Sequence, residues 1–391
     1  MNWNAPDIQL SLLELQQTLD WRGRDSRLVR GAFEWSQSKK HFLERFKNHF
    51  LRKPAPREKD RLRIFFWLPG GLGDAACAKR LVSAYRTYLP EAVFDIYSPV
   101  PGAARLLFGA DKNTCVCEEK PFSPVSYDLA VLACMAAVFL AADEARLGRL
   151  APDFLPVWER ARAAQEALGP LLEDLFLTDG LLGRWLAGRG GRRFDLLSYT
   201  GGVELPHDTP QRLKVPSGGL EKFGLTDVPY ITFHDLSRVH TPRPTRAWPS
   251  VRWCEFFRLF KKEFPYIKIV QLGLADNIPY EEADVCLLGK TALNDLLPLL
   301  SGAQAHIDSE SGYIHLAQFL EVNSVVIFGP SSAHFLGYAK NENLAAGPCG
   351  GCMWVTKEWM NVCPRGLAAA PCTECVRARD VLAAVKRILP H

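Results

Sequence analysis

Short apolar runs alternate with stretches of helical period along most of this chain. Arg63-Ile64-Phe65-Phe66-Trp67-Leu68 is apolar after its first residue. A run of that length, bounded by turn residues, predicts a buried strand. Pro69-Gly70-Gly71-Leu72-Gly73-Asp74 follows, then helical spacing at Ala78, Leu81, Val82, Tyr85 and Leu89. Two further strands are expected at 93–97 and 128–134. Strand, glycine turn, helix, strand is the pattern of a doubly wound α/β unit. Residues from about 140 to 195 read as helical, with Arg146, Arg149, Arg160, Arg162, Arg184 and Arg189 spaced through them. A Pro- and Gly-rich connection covers about 205–227, and the alternation then restarts. Strands are expected at 230–234, 267–273, 306–308 and 324–329, with helices at 251–264, 293–301 and 313–319.

Two α/β halves joined by a linker predict two Rossmann-like domains, at 61–215 and 228–391, with a cleft between them. Ligands of open parallel sheets bind beyond the carboxyl ends of the strands. Residues 1–60 predict a helical, amphipathic extension marked by Leu10, Leu12, Leu13, Leu15, Phe33, Trp35, Phe42, Phe46 and Phe50. The segment from Arg22 to Arg63 is rich in Lys and Arg. It reads either as a solvated helical face or as a contact for anionic lipid or an acidic partner.

Composition narrows the class. The 391 residues are 48% hydrophobic and 23% charged, as in a globular protein. A formal charge of +4 argues against a whole-protein nucleic-acid binder. The first residues carry neither a basic nor an apolar leader region. The longest apolar run, 129–142, is too short to span a bilayer and reads as a buried strand flowing into a helix. A cytoplasmic protein is expected, with peripheral contact to the inner membrane as an option left by the basic segment.

Eleven cysteines without an export signal point to thiols or metal ligands rather than disulfides. Five of them fall between Cys349 and Cys375. Cys349 and Cys352 form a C-x-x-C knuckle, and Cys363 with Cys372 would complete four thiolates. Cys375 competes for the fourth place. Four thiolates suit zinc and also iron, and they leave no position open for catalysis. Free buried thiols are the alternative.

Candidate chemistry lies in three places. Ile307 to Ala317 sets small and acidic residues at a strand end, just before an apolar helical run. Helix-start N–H groups are unsatisfied donors with partial positive charge, and Ser311 and Gly312 let a phosphate approach them. Glu310 can accept from sugar hydroxyls, and His315 lies one turn into the helix, facing back to the loop. A capped core helix with a satisfied histidine is the alternative. Gly70, Gly71 and Gly73 permit a tight turn beside Asp74, which reads either as a general base or as the helix N-cap. The spacing fits neither a dinucleotide fingerprint nor a P-loop. Arg246 could clamp a diphosphate.

These motifs, in this order, resemble glycosyltransferase family 9, the heptosyltransferases of GT-B fold, from about residue 62 to the end. Leu72-Gly73-Asp74 is similar to the family's G-D, whose Asp is taken as base. Arg246-Ala247-Trp248-Pro249 resembles K-x-W-P, and Glu310-Ser311-Gly312-Tyr313-Ile314-His315-Leu316-Ala317 resembles D-[ST]-G-x-x-H-L-A. Phe328-Gly329-Pro330-Ser331 resembles the F-G-P-[ST] turn. The last cysteines resemble the tail of autotransporter heptosyltransferases, which is said to hold iron. In that register Cys372 is the fourth ligand, Val376 the apolar position, and Cys375 is extra. Glu310 for Asp and Arg246 for Lys are departures that keep charge. The first sixty residues match nothing in the core family.

The resemblance implies an inverting transfer with no metal or cofactor in catalysis. Its donor would be a nucleoside-diphosphate sugar, ADP-heptose first. Its acceptor would be a lipopolysaccharide core, another glycan, a lipid-linked sugar or a protein side chain. Ser311, Gly312 and Arg246 would hold the diphosphate, Glu310 and His315 the sugar or phosphate, Asp276 the ribose, and Asp74 would take the acceptor proton. An epimerase or a non-catalytic nucleotide-sugar binder on the same fold is the other expectation.

Overall fold

A computed structural model describes residues 2, 3, 5, 7–9, 11–15, 58–118, 126–172, 176–211, 213–238, 245–345, 347, 349–356 and 358–389. The chain divides into two compact units, Met1–Pro206 and His207–His391.

The first unit is built on a five-stranded sheet of order β3-β2-β1-β4-β5. Strand β1 (Arg63–Trp67) leads through the glycine turn into helix α1 (Leu72–Tyr88) and strand β2 (Val93–Tyr97). Helix α2 (Pro101–Phe108) returns the chain to edge strand β3 (Thr114–Cys117). Strand β4 (Leu129–Ala133) pairs with the other side of β1, and these four strands are parallel. Ile64 and Phe66 point to one face with Phe94, where Tyr85 of α1 packs edge-on against Phe66. That alternation, both faces apolar, is why β1 reads as a continuous hydrophobic run.

The run 129–142 does not flow into a helix. It turns at Cys134–Ala136 and comes back as antiparallel strand β5 (Ala137–Ala142). The Cys134 N–H donates to the Ala136 carbonyl at 3.1 Å, closing the turn. An all-apolar run carries no period that separates strand from helix, so the hairpin was invisible in it. Helices then follow as expected, among them α3 (Glu144–Leu150), α4 (Leu155–Leu168), α5 (Arg184–Gly188) and α6 (Arg193–Gly201). Of the expected N-terminal extension, residues 7–9 and 11–15 are helical, and 16–57 lie outside the described residues. Trp3 stacks on Tyr199 at 4.4 Å, and Ser11 Oγ accepts from Trp185 Nε1 at 3.0 Å.

The second unit carries a six-stranded parallel sheet of order β11-β10-β9-β6-β7-β8. Its strands are β6 (Tyr230–His234), β7 (Lys268–Leu272), β8 (Val285–Cys286), β9 (His306–Ser309), β10 (Ser324–Phe328) and β11 (Glu342–Ala345). Helices α7 (Ser250–Glu263), α8 (Leu296–Ser301), α9 (Gly312–Phe319), α10 (Ala333–Leu336), α11 (Pro371–Glu374) and α12 (Ala378–Ile388) complete the unit. Its core joins Phe233, Trp248, Trp253, Phe256, Phe257 and Phe260 to Val381 and Val385 of α12. The unit begins within the Pro- and Gly-rich connection rather than after it. No helix among the described residues is long and apolar enough to cross a membrane.

Candidate active site

Each sheet reverses its winding once. In the first unit the reversal falls between β1 and β4, and in the second between β6 and β9. Crevices at such points, beyond the carboxyl ends of the strands, are where α/β sheets bind ligands. The first turn of the helix after β1 carries Asp74, and the loop after β9 carries Glu310 and Ser311 and leads into Gly312, the first residue of α9.

Asp74 is not a helix cap. Helix α1 has Gly71 as its N-cap, with no side-chain cap bond, and Asp74 is the third helical residue. Gly70 lets the carboxylate fold back over the turn: a Cβ there would lie 2.2 Å from Asp74 Oδ2. Arg193, the first residue of α6, donates to Asp74 Oδ1 at 3.1 Å. The Arg193 side chain is buried while Asp74 stays 42% exposed, so the carboxylate is both anchored and reachable. Burial works against the Arg193 charge, but Cys77, Asp74, Cys134 and Asp179 oppose it and hold the group above its ordinary value. Burial keeps the Cys134 thiol protonated, well above the usual range. Gly71 and Gly73 form the turn and the start of α1.

In the second unit, Ser311 is the N-cap of α9, its Oγ accepting from the Tyr313 N–H at 3.2 Å. The same hydroxyl donates to Asp308 Oδ2. Asp308 is wholly buried and also accepts from His234 Nδ1 at 3.1 Å, while His306 Nε2 stands 3.5 Å away. Burial would raise the Asp308 pKa, yet His234 and His306 together hold it below the ordinary value. His234 stacks on Tyr313 at 4.4 Å. The first turn of α9 is thus tied to the ends of β6 and β9 by one ionised carboxylate.

Arg246 and Glu310 meet beside that turn. Arg246 Nη2 donates to Glu310 Oε2 at 2.9 Å and to the Glu310 carbonyl, and Ser331 Oγ donates to the same Oε2 at 2.9 Å. The helix start and the Arg246 guanidinium thus stand together at one corner, and both are groups of the kind that attract anions. His315 Nδ1 pairs with the Tyr338 hydroxyl at 2.6 Å, and the ring packs edge-on to Tyr338. Asp276 lies in the loop after β7, where Arg238 Nη1 stands 3.6 Å from its Oδ2.

The tail supports this corner from behind. Thr245 Oγ1 donates to the Trp359 carbonyl at 2.6 Å, and buried Trp248 donates from Nε1 to the Val376 carbonyl at 2.9 Å. Gly329 leaves room for the approach: a Cβ there would lie 2.6 Å from Thr373 and 3.6 Å from Cys372 Sγ. Cys349, Cys352, Cys363 and Cys372 line one cavity of about 120 Å³ with Thr245 and Pro330. Cys375 is exposed and outside it. Burial, with Cys349 and Cys352 adding to it, pushes the Cys372 thiol up to about 12. The thiol set fits a soft cation in kind. Among the described residues, however, the group whose ligand atoms all lie within 4.8 Å of one another is Asp95, Cys115 and Cys117.

Sequence reading missed Arg193, His234, Asp308 and Ser331 as partners of the site. Ser331 could have been found through its turn motif. The others are joined to their partners only by the folded chain.

The two winding reversals and parallel sheets define an α/β fold of GT-B type. The structure is similar to that of the bacterial iron-containing dodecameric glycosyltransferase TibC from enterotoxigenic E. coli, with TM-score 0.56 and 16% identity, covering 85% of this chain and 77% of that one. It is also similar to a glycosyl transferase family 9 protein from Veillonella parvula, with TM-score 0.52 and 16% identity, over 85% and 98% of the two chains. Residues 220–353 match the sequence model of glycosyltransferase family 9 (heptosyltransferase). Lipopolysaccharide heptosyltransferase 1 of Pseudomonas aeruginosa is 26% identical over 159 residues, which is 37% of this chain and 43% of that relative. The chain therefore spans less than half the length of the curated relative it matches.

Proposed function

We infer that this chain is an inverting glycosyltransferase. It moves a sugar, heptose first, from a nucleoside diphosphate to a hydroxyl of a bacterial glycan, a lipid-linked sugar or a protein side chain. The observation that carries the reading is the corner made by the capped start of α9 and Arg246, inside the segment that matches the family model. A solved TibC complex contains ADP-D-beta-D-heptose, which supports an ADP-sugar as first choice of donor here.

In the proposed reaction the backbone N–H groups at Ser311 and Gly312 and the Arg246 guanidinium hold the diphosphate, while the Tyr313 N–H stays with the capping Ser311 Oγ. They stabilise the charge that grows on it as the anomeric carbon–oxygen bond breaks. Glu310 and Ser331 fix Arg246, and the Glu310 carboxylate remains the acceptor for sugar hydroxyls. Asp74 takes the proton of the acceptor hydroxyl as that oxygen attacks from the opposite face of the sugar. Arg193 orients the carboxylate. No step requires a metal ion. The Cys349, Cys352, Cys363 and Cys372 thiolates are suited to one structural zinc or iron ion, which would cross-link the tail behind Thr245 and Pro330. Cys375 is not part of that set.

The test is Asp74→Asn, assayed for sugar transfer and for binding of the nucleotide sugar. Transfer should fall by roughly 100-fold or more while donor affinity stays within a few-fold. Full transfer by the variant would remove the base assignment. Donor binding by the parent protein with no transfer to any acceptor, and no inversion, would favour a binding protein instead.

A further inference from the structure

The first unit carries a second group of soft ligands that has no part in the reaction above. In the parallel register of β2 and β3, Asp95 lies beside Cys115 and Tyr97 beside Cys117. Successive strand residues face opposite sides, so Asp95, Cys115 and Cys117 share one face of the sheet. A carboxylate oxygen of Asp95 and both sulfurs lie within 4.8 Å of one another. The Asp95 side chain is 1% exposed. Its Oδ2 accepts from Arg63 Nε at 2.8 Å and from the Tyr127 hydroxyl at 3.1 Å. Its Oδ1 is buried with no hydrogen-bond partner among the described residues. A buried carboxylate oxygen left without a donor is costly unless something else satisfies it.

We propose that Asp95, Cys115 and Cys117 form a binding site for one thiophilic divalent cation, zinc in the first instance, on the open edge of the first sheet. Two sulfurs and one oxygen supply three ligands of the kind tetrahedral zinc takes. Cys115 is exposed, which leaves the fourth position to water. Arg63 and Tyr127 hold the carboxylate by its other oxygen, as outer partners hold ligating carboxylates. Two thiolates and one carboxylate bring three negative charges, which the Arg63 guanidinium and a divalent cation together balance. β3 is an edge strand of four residues, and a cation joining it to β2 would pin that edge.

The experiment uses the full chain, kept reduced and stripped of metal, then dialysed against Zn²⁺ or Co²⁺ alone. The parent protein should take up one equivalent more than Cys115→Ser/Cys117→Ser, in which the tail cysteines are untouched. Its cobalt form should show more thiolate charge-transfer absorbance than that double variant, by the share of two thiolates, with any band of the tail cysteines common to both. Tyr127→Phe keeps all three ligands and should weaken this site by roughly 10-fold. Unchanged far-ultraviolet circular dichroism of the variants separates lost ligation from lost folding. Equal metal uptake by parent and double variant overturns the proposal. So does a mass loss of two hydrogens linking Cys115 to Cys117 in metal-loaded, air-exposed protein, since a disulfide would then occupy the ligands.

Discussion

Replacing Asp308 by Asn probes how the start of α9 is held. Asp308 serves two buried partners, His234 on Oδ1 and Ser311 on Oδ2. Hydrogen bonds to a charged group contribute about 1.5–3 kcal/mol each. An amide keeps one acceptor and turns a donor toward the other partner, so one bond is lost outright and the other is weakened. The expected loss is about 3 kcal/mol, near the low end for breaking a buried pair. The assay is hydrogen exchange in peptides covering 306–319, because the two units make a single global unfolding energy ill-defined. Opening of the first turn should become roughly 100-fold more frequent, and donor affinity should fall with it. The sign of the pH dependence follows from the lowered folded-state pKa of Asp308. Its contribution is present above the ordinary carboxylate value of 3.8 and is lost as pH falls through the lower folded value. The difference between parent and variant should therefore still be present at about pH 5 and shrink only as pH falls through the lower folded value. Protection unchanged by the substitution would refute the argument.

Further substitutions test neighbouring links. Gly70→Ala sets a methyl group against Asp74 Oδ2, so transfer should drop by at least about 10-fold with donor binding intact, read by steady-state kinetics and calorimetry. Arg246→Ala should raise the donor KM by roughly 10-fold or more, while Arg246→Lys should recover part of it; equal KM values in all three proteins would remove Arg246 from donor binding. Trp248→Ala removes a fully buried ring and its bond to Val376, and should destabilise the second unit by about 3–5 kcal/mol in denaturant unfolding followed by exchange in α7 and α12.

Much of the scaffold was legible because strand and helix periods are local properties. β1, its glycine turn and α1 were readable, as were β6, β9, α9 and β10. β3 was not, because a four-residue edge strand holding Thr114 and two cysteines shows little apolar pattern. The β4–β5 hairpin hid inside an all-apolar run. Among candidate residues, Asp74, Arg246, Glu310 and Ser311 were singled out by motif, and the structure pairs Arg246 with Glu310. The Arg193–Asp74 pair spans 119 positions and the His234–Asp308 pair 74, so no local window could show either. Cys349, Cys352, Cys363 and Cys372 line one cavity, and the metal site expected of them remains a proposal.

The tethering of Thr245 and Trp248 to residues 359 and 376 has a consequence for the order in which this protein is made. A ribosome that has completed the whole second sheet, through Ala345, has not yet synthesised either partner. The loop that carries Arg246 must wait for more than a hundred later residues before its anchors exist. The loop at Arg246 is therefore anchored only after every strand of its sheet has been made. A nascent chain arrested after β11 would hold all six strands while Thr245 and Trp248 still lacked the carbonyls that receive them.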